Sequence, residues 1–121
     1  MREELQERLK QFALRVFCLV GALPKTAVGR AIAGQLARSA PAAAASYRST
    51  CRARSKAEFS ARMGVVLEET DESAFWLELV VAANLLPAQR VAALLTEATE
   101  LTAIFSRSFS TARRRSGGQA G

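Results

Sequence analysis

Apolar residues recur along this chain in steps of three and four. The first series is Leu5, Leu9, Phe12, Val16, Leu19 and Leu23. Turns of 3.6 residues bring such positions onto one face, so the series predicts an amphipathic helix with a single buried stripe. Glu3, Glu4 and Glu7 sit in its opening turns, where carboxylates complement the helix dipole. Leu23-Pro24 predicts the stop, because a proline biases the residue before it away from helical backbone. A second series follows: Val28, Ile32, Leu36, Ser39, Ala43, Tyr47 and Cys51. Pro41 falls inside it and has no N–H to donate, yet the stripe keeps its phase on both sides. One bent helix, rather than two helices, is the expectation. The small residues around it, Ser39, Ala40 and Ala42 to Ala45, predict close packing inside a bundle, with a flat subunit contact as the alternative.

Ser55, followed three residues later by Glu58, forms a capping-box pattern ahead of the third series. That series is Phe59, Met63, Val66, Thr70, Ser73, Leu77, Val80 and Asn84. Leu86-Pro87 ends it, and Pro87 suits the opening of the next helix. The fourth series is Val91, Leu94, Ala98, Leu101, Phe105 and Phe109. Four helices joined by short proline-marked loops predict an all-α fold, an antiparallel up-down four-helix bundle over residues 1–111. Residues 112–121 carry Arg113-Arg114-Arg115 and then glycines, and they predict a disordered basic tail.

Composition narrows the chemistry. A chain of 121 residues, half of them hydrophobic, suits one ordered domain, and its 24 alanines favour helix. It contains no histidine, which excludes every mechanism that needs an imidazole base, shuttle or ligand. Cys18 and Cys51 lack CxxC spacing and predict two buried, reduced thiols rather than a disulfide framework. Early acids, and Lys10 and Arg15 inside the first apolar stretch, argue against a targeting peptide. No apolar run approaches the roughly 18 residues of a membrane span, so a cytoplasmic protein without membrane contact is expected.

Charge is distributed unevenly. The formal net charge is +6. From Arg8 to Ala57 there are ten basic residues and no acid, whereas Val65 to Leu101 holds seven acids and only Arg90 as a base. The first two helices are therefore expected to be cationic and the last two anionic. Arg48 and Arg52 share a helix face, and Arg54, Lys56 and Arg62 extend the charge around the following turn. With Arg38 earlier on the same helix, these form the candidate nucleic-acid-binding set, since the guanidinium fork suits phosphate. Plain solvated faces, and pairing with acids of another copy, are the competing readings.

The acidic run Glu68, Glu69, Asp71 and Glu72 places Glu68 and Glu72 on one face. Dimetal carboxylate bundles also require histidine, so these acids are read as solvated groups or inter-subunit partners of the arginines. No metal, cofactor or catalytic residue is expected. Cys51 has cations beside it but no base to serve it as a nucleophile. Phe75 and Trp76 lie about 100° apart on a helix, so either one packs inward while the other reaches an edge as an interface anchor, or a wide bundle face buries both. Tyr47, Glu68, Glu72 and Trp76 are the candidate interface residues.

Certain stretches are more specific. Leu23-Pro24, Gln35-Leu36-Ala37-Arg38-Ser39 and the small-residue run to Tyr47-Arg48 resemble the bacterial four-helix bundle family, also known as the 23S ribosomal RNA intervening-sequence proteins. Cys51-Arg52-Ala53-Arg54-Ser55-Lys56-Ala57-Glu58-Phe59 strengthens the resemblance, as do Gly64-Val65-Val66-Leu67-Glu68-Glu69-Thr70-Asp71-Glu72 and Phe75-Trp76-Leu77-Glu78-Leu79. The resemblance implies an up-down bundle that assembles into a ring-like pentamer and has no enzymatic activity. It also implies kinship with accessory proteins of diversity-generating retroelements, which bind a reverse transcriptase and nucleic acid through a basic surface. Ala42 and Ser46 stand where the family usually has Ser and Asn, a departure at the point where that Asn side chain would make its contact. The functional expectation is a non-enzymatic homo-oligomeric scaffold whose basic surface contacts RNA, DNA or a reverse-transcriptase-like partner. The alternative is a self-assembling bundle whose charged faces pair between subunits without nucleic acid.

Overall fold

The computed structural model describes the backbone of residues 2–120 and the side chains of residues 2–117. Four helices account for nearly all of it: α1 (Arg2–Ala22), α2 (Ala27–Thr50), α3 (Lys56–Ala82) and α4 (Ala88–Ala120). The connections are too short to cross the bundle, so each helix runs antiparallel to the one before it. α1 packs on α2, α2 on α3 and α3 on α4, and a thinner seam between α4 and α1 closes the ring. The fold is an all-α up-down four-helix bundle.

Each turn has its own local chemistry. Thr26 caps α2, its hydroxyl oxygen accepting from the Gly29 N–H at 3.1 Å, and Ser55 caps α3 by accepting from the Glu58 N–H at 3.0 Å. Gly29 is buried at the first of these turns, because a Cβ there would lie 2.1 Å from the Pro24 carbonyl oxygen. α3 ends in a Schellman motif: the Leu85 N–H donates to Val80 O and the Asn84 N–H to Val81 O, both at 3.0 Å. Asn84 takes the left-handed conformation that this motif requires, with φ of 57°. It is thus a helix terminator, exposed at the turn, and not the last member of the third apolar stripe.

The core follows the four stripes with small shifts of phase. Phe12, Leu36, Leu77 and Phe105 are fully buried, one from each helix. Gly29 replaces Val28 on the buried face of α2, leaving Val28 exposed, and Thr50 is buried where Cys51 is only half-buried. Cys18, expected inside, is exposed on α1. α2 runs through Pro41 as one helix. Across the α2–α3 seam the buried hydroxyls of Ser39 and Ser73 lie 2.8 Å apart, and Ser73 also donates to Glu69 O at 2.9 Å. That buried polar pair fixes the register of two otherwise smooth, small-residue surfaces.

The segment expected to be a disordered tail instead continues α4 to Ala120. A helix already nucleated gains a hydrogen bond for each residue added, and its packing extends with it. Ala112 is buried, and the Arg113 guanidinium lies 5.9 Å from the centre of the Phe109 ring. Gly121 and the side chains of residues 118–121 lie outside the described residues.

Candidate nucleic-acid interface

Up-down topology gathers the start of α1, the end of α2, the start of α3 and the end of α4 at one pole of the bundle. The cap at Ser55 turns the chain sharply there and points Arg54 and Lys56 outward on either side of it, both exposed. On α4, Arg107, Thr111 and Arg115 stand at successive four-residue steps and so share a face. Together with Arg2 of α1 these groups line a cavity of about 660 Å³. Its walls carry five cations, the hydroxyls of Ser55, Ser108 and Thr111, the Phe59 ring, and no carboxylate. Among the described residues none of the five is held in an ion pair within the chain. Like charges converging without a partner repel one another, and a bound polyanion relieves that repulsion.

The candidate set read from the sequence is split by the structure over four places. Arg54 and Lys56 belong to the polar cavity. Arg48 and Arg52 are exposed but line a separate groove between α1 and α2, shared with Lys10 and also with Glu3 and Glu7. Arg62 is engaged: it donates to Glu58 at 3.0 Å and to the Ser49 hydroxyl at 2.6 Å. The Arg62 hydrogen bond, with desolvation opposing it, holds the Glu58 carboxyl below its ordinary value. Arg38 lies half-way along α2 and pairs with Glu69 at 3.3 Å and with Glu72. A contiguous strip of positive charge over these six residues therefore does not form.

The expected cationic and anionic sides meet at two of the four seams and pair there. In the square of helices, basic α2 lies against acidic α3, and the acids of α4 lie against α1, so opposite charges meet at those two seams. Arg8 makes a forked bond to Glu97, at 2.8 and 2.7 Å, and a further bond to Glu100 at 2.8 Å. At the pole, by contrast, the cavity's five cations stand without an ion pair among the described residues.

Of the candidate interface residues, Tyr47 is in the core. It is 4% exposed, packs its ring 5.1 Å from that of Phe105, and burial, with Cys51 beside it, pushes its hydroxyl up to about 12. An i, i+4 walk from Ser39 and Ala43 leads to Tyr47, so its place in the stripe outweighed its nearness in sequence to the arginines. Trp76 is half-buried and donates to Glu72 at 3.4 Å, while its neighbour Phe75 is exposed. Phe75 sits in a shallow groove among Glu68, Asp71, Glu72 and Glu78. Among the described residues no three potential metal ligands come together.

Arg2, Arg107 and Arg115 were absent from the sequence-based set. The four-residue spacing of Arg107, Thr111 and Arg115 was the available signal, and reading residues 112–121 as disordered concealed it.

No family model matches the chain, and no curated protein does. Among solved structures, a protein of unknown function from the S23 ribosomal protein family of Bacteroides thetaiotaomicron VPI-5482 superposes with a TM-score of 0.78 at 22% identity. The match covers 86% of this chain and 96% of that one. The likeness establishes a shared bundle fold. No helix among the described residues is long and apolar enough to cross a membrane.

Proposed function

We propose that this protein is a non-enzymatic, homo-oligomeric cytoplasmic scaffold of the intervening-sequence type, and that its cationic pole holds nucleic acid or a protein–nucleic-acid complex. The observation that carries this reading is the cavity at the pole lined by Arg2, Arg54, Lys56, Arg107 and Arg115, with no carboxylate in its lining. Arginine forks and hydroxyls suit phosphate oxygens, whereas the single partly buried ring, Phe59, offers little for reading a base sequence. Backbone binding without strong sequence preference is the expected mode. Binding of mixed RNA and DNA fragments should be measurable at low salt and weaken steeply as salt rises. Replacing Arg54 and Arg107 by alanine should shift the log–log salt slope by about one for each phosphate no longer neutralised. The same change at Arg48 and Arg52, which share their groove with Glu3 and Glu7, should have the smaller effect. Absence of any retardation at low salt sinks the reading.

A second reading is favoured by a different feature, the charge complementarity of two lateral grooves. Phe75 on α3 is ringed by acids, while Leu14 and Phe17 on α1 are exposed beside Lys10, Arg48 and Arg52. Copies joined head to tail through these two surfaces would close into a ring if the rotation permits. Such an arrangement is compatible with a cationic pole left free for nucleic acid.

A further inference from the structure

We propose that the polar cavity is a discrete site for the terminal phosphate group of a nucleotide, supplied as the 5′ end of a single strand or as a free nucleoside triphosphate. The proposal rests on reading the pole as a phosphate-binding surface and goes further, because it assigns the cavity one compact ligand in place of a path along a strand.

Three observations carry it. First, the cations converge from separate segments: Arg2 from α1, Arg54 and Lys56 from the turn into α3, and Arg107 and Arg115 from α4. A strand followed along its backbone needs charges laid out over several nucleotides in a track. Here they surround a single concavity of about 660 Å³, a volume within the roughly 300–1,000 Å³ range of small-ligand pockets. Second, the charge is concentrated beyond what one internal phosphodiester can balance. A terminal phosphate carries roughly −1.5 to −2 at neutral pH, and a triphosphate adds to that. Third, the uncharged part of the lining is suited to a nucleotide. The hydroxyls of Ser55, Ser108 and Thr111 can donate to phosphate oxygens, and Phe59 provides one apolar wall for a ring or sugar.

The test uses the full chain and a fluorescent single strand of one sequence carrying a 5′-triphosphate, a 5′-monophosphate or a 5′-hydroxyl, with ATP as competitor. The triphosphate end should bind about tenfold more tightly than the hydroxyl end, the effect of an added charge-assisted hydrogen bond or two. Lys56→Ala combined with Arg107→Ala should abolish that preference. Both side chains are exposed, so folding should survive and can be checked by circular dichroism. Arg90→Ala, at the opposite pole, should leave it unchanged. Displacement by ATP at comparable concentration supports the site with free nucleotide as the source, and a preference for the triphosphate strand without ATP binding supports it with the strand end as the source. Equal affinity for the three ends, with no displacement by ATP, overturns the inference while leaving nucleic-acid binding intact. ATP binding with no strand binding keeps the cavity as a nucleotide site and overturns the scaffold reading instead.

Discussion

At single positions the bundle depends on residues whose side chains are small or absent. Gly29 lies where the start of α2 presses on the Pro24 carbonyl, so Gly29→Ala forces the turn open despite alanine being the better helix former. A loss of about 1–3 kcal/mol, typical of overpacking, is expected and can be read from denaturant or thermal unfolding. The Ser39–Ser73 pair makes an asymmetric prediction. Ser39→Ala leaves the Ser73 hydroxyl bonded to Glu69 O, whereas Ser73→Ala leaves a buried Ser39 hydroxyl without its partner. The second change should therefore be the more costly, by about 1 kcal/mol, in the same unfolding measurement. Both serines were visible as members of helical stripes, but spacing within one helix does not say which residue of another helix it will meet.

Between elements, the α1–α4 seam is the weak edge of the square, and the Arg8 fork is its clasp. The Arg8 hydrogen bond, opposed by desolvation, holds the Glu97 carboxyl below its usual value of 4.5. A carboxylate depressed in the folded state contributes stability above its unfolded pKa and loses it as pH falls through the folded value. The stability gap between the parent protein and Glu97→Gln should thus be full at neutral pH and shrink below pH 4.5, as thermal unfolding at several pH values will show. Arg8→Ala should cost about 1 kcal/mol at pH 7, and a gap that persists unchanged into acid would remove this account of the seam. Neither partner was predictable from the chain, where Arg8 and Glu97 stand 89 positions apart.

Over the whole molecule, ion pairs cross two of the four seams, and cations gather without one at a pole of the bundle. Where basic α2 meets acidic α3, and where α1 meets the acids of α4, opposite charges pair across the seam, through Arg38 with Glu69 and Glu72 and through Arg8 with Glu97 and Glu100. The acids around Phe75 and the cations around Leu14 and Phe17 remain as opposed lateral surfaces. Phe75→Ser should lower the mass in solution if copies join there, and high salt should act in the same direction. Static light scattering at low and high salt measures both. An unchanged mass for Phe75→Ser would place any self-association elsewhere.

The apolar period, the prolines and the Ser55 cap were enough to predict four helices, their order and most of the core, because helical periodicity and capping are local properties of a chain. The proline-marked loops added the antiparallel sense, since so few residues permit only a reversal. Which charges remain unpaired was decided by tertiary structure alone. Arg38 and Arg62 looked equivalent to Arg54 and Lys56 in sequence, yet the first two form ion pairs with carboxylates and the latter two form none among the described residues. The sum of a group's neighbours sets its electrostatic environment, and those neighbours arrive from helices distant in the chain. The continuation of α4 likewise brought Arg115 to the pole beside Arg107, where packing at Ala112 outweighed the glycine-rich composition that follows.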